Sequence, residues 1–221
     1  LAQIKSDYVL VKNIDNLQHF SQSDASTSQW KILVGLLDQL KEAFSKLEAQ
    51  PSLAEFEKLN ARFHFLPAHE LTTEADLLRF LRRPLRVCGM VRNEGQPGGG
   101  PFFVQKNGET RKQIVEKAQL ANTDKVNVLL MQSTHFNPVM MALDFKDFQG
   151  EAYDLSAFTE EEAYFIVEKS HQGKSIRFIE QPGLWNGGMA NWNTLFVEIP
   201  NEVFTPVKTV LDLLQNTHQS I

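Results

Sequence analysis

Cysteine is almost missing from this chain. Cys88 is the only one among 221 residues, so a disulfide framework and a thiolate zinc site are both excluded. It lies in the apolar run Leu85–Val91 with no histidine as a sequence neighbour, and this favours a small buried hydrophobic residue over a catalytic thiol.

The sequence also has no long apolar run, no segment that resembles a secretory leader and no excess of basic residues. No stretch reaches the ~20 apolar residues that span a bilayer, and Leu1–Val11 contains Lys5 and Asp7 without the apolar core of a leader. The net charge of −5 argues against broad nucleic-acid binding. The six histidines lack ligand spacing. We expect a cytoplasmic protein with a small-molecule partner, without nucleic acid or membrane; the sequence does not set its oligomeric state.

A group of helices is predicted after a short strand at Tyr8–Lys12. The apolar face of the first helix carries Leu33, Leu36, Leu37, Leu40, Phe44 and Leu47, at helical spacing. Ser52 and Glu55 predict the start of a second helix, and a third runs from Glu74 to Arg83, stopped by Pro84. We interpret residues 28–83 as a helical insertion in one α/β domain covering residues 1–221.

Strands dominate the remainder. We predict strands at Leu85–Val91, Phe102–Gln105 and Leu195–Ile199, a hairpin from Ala163–Ser170 and Ser175–Glu180, and a closing helix at Pro206–Leu214. The continuous apolar run Val126–Gln132 is typical of a central strand that is buried on both faces. Together with the helices, these strands indicate an α/β fold with a mixed sheet.

The segment Gly95–Pro101 is rich in glycine. It holds four of the 12 glycines of the chain, and the run Gly98, Gly99 and Gly100 lets the backbone approach a ligand closely. Successive exposed N–H groups can form an anion-binding nest. The alternative is a flexible surface loop, since the segment matches neither the P-loop nor the dinucleotide fingerprint.

Arginines cluster in sequence just before this loop. The stretch 79–92 contains no acidic residue and holds Arg79, Arg82, Arg83, Arg86 and Arg92. Guanidinium groups suit phosphate and carboxylate, so an anionic ligand is one interpretation. A solvated helix end, where cations are favoured, is the other.

Two carboxylates are candidates for ligand binding. Asp15 follows the first predicted strand, at the kind of sheet edge where ligands bind, and it could hold Mg²⁺ that bridges substrate phosphates; an Asx turn is the alternative. Glu116 lies in the β-branched run Ile114–Lys117 and could accept hydrogen bonds from sugar hydroxyls. A Glu-Lys pair of this kind is more often a solvated strand face or a helix turn, and the spacing does not decide between these alternatives.

The segment Gly183–Thr194 has an unusual composition. It contains two of the three tryptophans, Trp185 and Trp192, together with several asparagines and glycines. Tryptophan offers a flat face to a sugar or base, and asparagine offers both a donor and an acceptor. A packed region with tryptophan in the core is the alternative.

These motifs together resemble a bacterial family catalogued as domain-of-unknown-function family 4301. The resemblance rests on Val11–Asn16, Arg86–Gly95 with Pro97–Phe102, and Pro182–Thr194, and it extends through Pro206–Val210. That family looks like a branch of the nucleotide-diphospho-sugar transferase fold, with its Rossmann-like sheet. The resemblance implies a sugar-phosphate nucleotidyltransferase-like protein.

Specific roles follow from this resemblance. Asp15 is similar to the metal-binding Asp of that fold and would hold Mg²⁺; Arg92 and the glycine loop would neutralise phosphate. Implied contacts to the sugar phosphate or nucleotide sugar are Asn16, Gly98, Gly99, Gly100, Glu116, Trp185, Asn186, Gly187 and Asn193. The nucleotide-binding loop of such enzymes has no counterpart before Tyr8, so we expect the carboxyl-terminal part of a longer protein.

Two other functions remain open at this stage. One is a non-catalytic module that binds a nucleotide sugar. The other is a structural or assembly domain in which the tryptophan-rich segment is buried in an interface.

Overall fold

Helices and strands of a mixed α/β fold make up the computed structural model, which describes residues 6–95, 99–120 and 123–220. The helices in this part are α1 (Asp24–Ala49), α2 (Leu53–Phe63), α3 (Glu74–Leu81) and α4 (Asp124–Met131). The strands are β1 (Val9–Lys12), β2 (Leu85–Arg92), β3 (Gly100–Lys106), β4 (Glu109–Val115), β5 (His135–Asp144), β6 (Phe165–His171), β7 (Lys174–Glu180) and β8 (Asn193–Glu198).

The main sheet has four strands in the order β1-β5-β2-β8. β5 is antiparallel to both β1 and β2, whereas β2 and β8 are parallel. The sheet is therefore mixed, as the sequence predicts. The carboxyl ends of β1, β2 and β8 lie at one edge of the sheet, together with the amino end of β5, and we call this edge the carboxyl edge.

Helices α1, α2 and α3 cover one face of the sheet. The face of α1 that carries Leu33, Leu37 and Leu40 is buried and packs with Val87 and Ala142 of the sheet. Ser52 and Thr73 cap α2 and α3 by accepting hydrogen bonds from backbone N–H groups. The three helices predicted before Pro84 are confirmed, and the apolar spacing in α1 matches its buried face.

The other face of the sheet is covered by β-structure and loops. Cys88 and Met90, which alternate with Val87 and Val91 along β2, point to this side and pack with Ile114 of β4 and with Trp192. Cys88 is fully buried, and burial raises the pKa of its thiol to about 11. The thiol is a buried hydrophobic group, as predicted.

Two predicted elements are wrong. Val126–Gln132 is not a central strand: Thr123 caps helix α4 there, and Val128 and Leu129 are more than half exposed. The two inner strands of the main sheet are β2, which was predicted, and β5, which was not. The predicted closing helix at 206–214 is only a short 3-10 turn at Val210–Leu214.

Within the described ranges, no helix combines the length and apolar character that crossing a membrane requires.

Candidate functional site

A cleft of about 1020 Å³ lies along one face of the β3–β4 hairpin. The cleft floor is built from residues that share this face in register: Phe102 opposite Gln113, Val104 opposite Arg111, and Lys106 opposite Glu109. The facing wall is built from residues 159–164 and from Gly187, Ala190 and Asn191, and α4 adds Val126 and Leu129. Concave sites of this size with a few polar groups are typical of small-molecule binding.

Arginine side chains pair with Glu109 at the cleft. Arg111 donates hydrogen bonds to Glu109 and to Asn191 Oδ1, and Arg83 Nη2 lies 3.8 Å from Glu109. Burial, with repulsion from Arg111, lowers the pKa of Arg83 to about 10. Two guanidinium groups thus share the Glu109 carboxylate, while the lining also carries the carboxylates of Glu160 and Glu162.

An ion pair bridges the cleft from its floor to its wall. Lys106 Nζ lies 2.8 Å from Glu160 and 3.9 Å from Glu162. The hydrogen bond to Glu160 raises the pKa of Lys106. The side chains are partly or largely exposed, so the pair contributes little stability. It does join the hairpin turn to the facing wall.

Asn186 and Gly187 build that wall. Asn186 Nδ2 donates to the carbonyl of Ala163, while its Oδ1 accepts from Gly183 N–H. Gly187 has φ of +70°, and a Cβ there would lie 2.5 Å from the Ala163 side chain. The observed contacts of Asn186 are therefore within the chain, and its predicted contact with a ligand stays a prediction.

Glu116 follows the cleft residue Val115 and forms a small polar cluster. Its carboxylate accepts a hydrogen bond from Asn137 Nδ2 at 2.6 Å and another from the Gly99 backbone. Burial raises the pKa of Glu116, and repulsion from Glu180 adds to this effect. Asn137 Oδ1 is buried without a hydrogen-bond partner. The cluster thus keeps one unused acceptor beside a carboxylate with a raised pKa.

The glycine loop is explained in part by packing. A Cβ on Gly99 would lie 2.1 Å from the Val115 carbonyl oxygen, and one on Gly100 would lie 2.8 Å from the His135 carbonyl oxygen. The backbone at Gly99 and Gly100 thus lies close to other backbone of the protein, and the predicted close approach to a ligand stays a prediction. Gly98 lies outside the described residues, and the anion-binding role of the loop stays a prediction.

Asp15 and Asn16 lie past the end of β1, at the carboxyl edge. The Asp15 carboxylate is 3.6 Å from Lys208 Nζ, and about a third of the side chain is exposed. Asn16 is buried, and its amide bonds Val203 O and Thr205 N–H. Asn16 therefore ties the amino-terminal segment to the carboxyl-terminal one, and neither residue lines the cleft.

Arg92 lies at the same edge of the sheet, at the end of β2. Its guanidinium binds both carboxylate oxygens of Glu198 at 3.1 Å. His135 Nε2 contacts Glu198 Oε2, also at 3.1 Å. The hydrogen bond with His135, followed by the one from Arg92, lowers the pKa of Glu198. To neutralise a phosphate, Arg92 would have to share or leave this carboxylate.

The five clustered arginines do not form one patch. Arg79 and Arg82 pair with Asp76 and Glu48 on the helical side. Arg86 is fully buried and donates to Thr194 Oγ1 at 2.7 Å. The eight-residue strand β2 separates Arg83 from Arg92 by roughly 25 Å, at about 3.3 Å per residue. These arginines are therefore close in sequence without forming one binding site for an anion.

The remaining predicted contacts lie in or near the core. Trp185 packs, partly buried, against the cluster that contains Trp192, and Trp192 Nε1 is buried without a partner. Asn193 Nδ2 donates to the Phe80 carbonyl at 2.7 Å. Trp192 and Asn193 therefore fit the alternative interpretation of this segment, in which tryptophan packs in the core. The direct contact with a ligand that was predicted for Trp185 and Asn193 stays a prediction.

Sequence reasoning missed polar cleft residues of the β3–β4 hairpin, among them Lys106, Glu109, Arg111 and Gln113. The signal for them was the dipeptide Asn107-Gly108, which has φ values of 54° and 82°. Such a pair marks a two-residue hairpin turn, and it fixes which residues of β3 and β4 share the cleft face. Asn137 carried no comparable signal.

No metal-binding group of three or more His, Cys, Asp or Glu side chains occurs in residues 6–95, 99–120 and 123–220. Asp15 offers one carboxylate, which fits Mg²⁺ when phosphate oxygens of a substrate supply the other ligands.

The fold and the cleft define a mixed α/β protein with a small-molecule-sized site. A family model described as "Domain of unknown function (DUF4301)" matches residues 1–219, and the chain belongs to this family. No curated protein matches the chain.

A solved structure is similar to part of the chain. It is a mutant of UDP-glucose pyrophosphorylase from Leishmania major in complex with UDP-glucose, 16% identical, with a TM-score of 0.36. The match covers 66% of this chain and 34% of that one, so the chain spans about a third of that enzyme's length. This likeness is too low to transfer an activity.

Proposed function

We propose that the protein binds a phosphorylated sugar or a nucleotide sugar in the cleft, and that it is a sugar-phosphate nucleotidyltransferase-like protein. The observation that carries this proposal is the meeting of two sequence motifs in one cleft. Val115 and Gln119, which flank Glu116, line it together with Gly187 and Asn191 of the tryptophan-rich segment.

The lining fits a sugar with an anionic group. Phe102 and Val104 supply apolar surface for the faces of a sugar ring, while Gln113 and Asn191 supply donors and acceptors for hydroxyl groups. Arg111 supplies a guanidinium group to the lining, and this group suits a phosphate that replaces its contact with Glu109.

The polar cluster around Glu116 would orient the sugar. A carboxylate with a raised pKa and a buried free acceptor on Asn137 together offer hydrogen bonds to hydroxyl donors. Such perturbed groups are enriched at functional sites. Gly99 N–H, which contacts Glu116, couples this cluster to the glycine loop.

Asp15 lies outside the cleft lining, so it would hold Mg²⁺ through phosphate oxygens of the ligand that reach the carboxyl edge, and the bound ion would screen the charge of the transferring group. The protein's own contribution would be positioning and charge stabilisation. Arg92 would serve the phosphates at the carboxyl edge.

The test is ligand binding and turnover by the full-length protein. Pyrophosphate exchange is measured with Mg²⁺ and a panel of sugar 1-phosphates and nucleoside triphosphates, and thermal stabilisation by each ligand is measured in parallel. Phe102→Ala should abolish stabilisation by the ligand. The matched control is Phe20→Ala, because Phe20 is 81% exposed and lies outside the cleft.

The outcomes separate three functions. Exchange that is lost in Asp15→Asn, with ligand stabilisation retained, supports the enzyme. Stabilisation without exchange indicates a non-catalytic binding module. A folded protein that shows neither effect with any ligand contradicts the proposal and favours an assembly domain.

A further inference from the structure

The hairpin of β6 and β7 has an uncovered edge. All seven residues of β7 are exposed, and β6 is its only strand partner within the described residues. A two-stranded hairpin is marginally stable alone, and an unpaired edge is a template for a further strand. The edge of β7 is therefore suited to strand pairing.

One face of this hairpin carries an apolar patch. Val167 lies opposite Phe178 in the register, and Lys169 lies opposite Ile176. Phe178 and Ile176 remain 38% and 43% exposed, and Lys169 Nζ lies 5.3 Å from the Phe178 ring centroid. Pairing through β7 would extend this apolar patch across a wider sheet.

We propose that the partner is a second copy of this chain, joined through antiparallel pairing of β7 with β7 about a two-fold axis. An axis perpendicular to the sheet keeps both apolar patches on the same side and passes beside the same residue in each copy. The axis can pass beside any of the three central residues of β7, which are Ile176, Arg177 and Phe178, and each choice defines one register of pairing.

The sequence of β7 is self-complementary in one of these registers. With Arg177 at the axis, Lys174 faces Glu180 of the other copy and Ile176 faces Phe178, so each dimer gains two ion pairs and two apolar pairs. Centring on Ile176 places Lys174 against Phe178. Centring on Phe178 places Ile176 against Glu180. The charge pattern therefore selects Arg177.

In this register the two Arg177 side chains face each other at the axis, and their like charges repel. Each Arg177 is already paired with Glu168 of its own hairpin, at 3.0 Å from Nε to Oε1. The repulsion across the axis is thus offset by a carboxylate on either side.

Cysteine cross-linking tests the register directly. Residues opposite each other in an antiparallel pair have Cα atoms about 4.5–5.5 Å apart, which is within reach of a disulfide. Arg177→Cys in the full-length protein should form a disulfide-linked dimer on mild oxidation. Ser175→Cys is the matched control and should not, because it faces Ile179. The native Cys88 is fully buried and will not compete.

Charge exchange provides a second test, by sedimentation over a concentration series. Lys174→Glu or Glu180→Lys should weaken dimerisation by about tenfold, and the double exchange should restore it. Lys174 and Glu180 lie roughly 20 Å apart along one strand, so rescue can arise only between copies. A monomer at every concentration, a dimer insensitive to both exchanges, or equal cross-linking at 175 and 177 would overturn the proposal.

Discussion

Replacing Lys112 by methionine should stabilise the protein at neutral pH. Lys112 lies on β4, on the side of the hairpin that faces the core, and burial lowers the pKa of its amino group to about 8. Its contacts are a hydrogen bond of 3.3 Å to the Phe63 carbonyl and two phenyl rings, of Phe103 and Phe196, with centroids 5.9 and 5.8 Å away. Methionine keeps the length of the side chain and removes the charge.

The size of the effect follows from this pKa. A fall from 10.5 to about 8 corresponds to about 3 kcal/mol of unfavourable free energy for the charged form in the folded state. The lost hydrogen bond and cation–π contacts together contribute about 2 kcal/mol in the opposite direction. The expected net gain for Lys112→Met at pH 7 is therefore about 1 kcal/mol.

The pH dependence distinguishes this cause from simple repacking. Because folding lowers the pKa, the unfolded chain binds the Lys112 proton more tightly, and the stability of the wild type rises with pH between about 8 and 10.5. Lys112→Met lacks this rise. Its advantage should therefore shrink by about 1.4 kcal/mol for each pH unit in that window.

The assay is chemical denaturation of both proteins at pH 7 and pH 9. Lys169→Met is the matched control, because Lys169 also lies over a phenyl ring but is exposed. A destabilised Lys112→Met at pH 7, or an advantage that is the same at both pH values, would refute the reasoning.

Two further predictions concern Asn16 and Glu116. Asn16→Ala should lower the free energy of unfolding by about 2–4 kcal/mol, because it leaves Val203 O and Thr205 N–H without their partner; denaturation measures this, and an effect below ~1 kcal/mol would contradict the structural role. Glu116→Gln should flatten the pH dependence of stability between pH 4.5 and neutrality. Burial raises the pKa of Glu116 from 4.5, so its stabilising contribution is complete below that value and is lost as pH rises. Thermal unfolding across this range checks it, and an unchanged profile would argue against the buried carboxylate.

The sequence was informative about the helical layer because local signals agree there. In α1 the apolar spacing matches the face that is buried, and Ser52 supplies the cap that starts α2. Both signals act within a few residues, so no tertiary knowledge is needed to interpret them.

The inner strand β5 was missed because its start does not look like a strand. β5 begins with His135-Phe136-Asn137-Pro138, and the proline lacks the N–H that a regular ladder needs. The structure accommodates Pro138 opposite Met90, at an irregularity in the β2–β5 register. Val126–Gln132 was mistaken for a strand because a short apolar run fits either a helix or a strand.

The cleft depends on pairings that no local pattern encodes. Lys106 meets Glu160, and Glu116 meets Asn137, only because the hairpin turns at Asn107-Gly108 and β5 runs antiparallel. The sequence pointed to Glu116 and to the segment around Gly187. It could not supply their neighbours, since these come from distant parts of the chain.

The close packing of Gly99 against the Val115 carbonyl restricts how the glycine loop can be studied by mutation. Any side chain there would push the Val115 carbonyl aside and so displace the strand that leads into Glu116. An alanine scan of this loop would therefore mix folding defects with lost ligand contacts. Replacing the peptide bond by an ester would remove the N–H group and leave the shape of the backbone intact. This replacement would therefore test the N–H group alone.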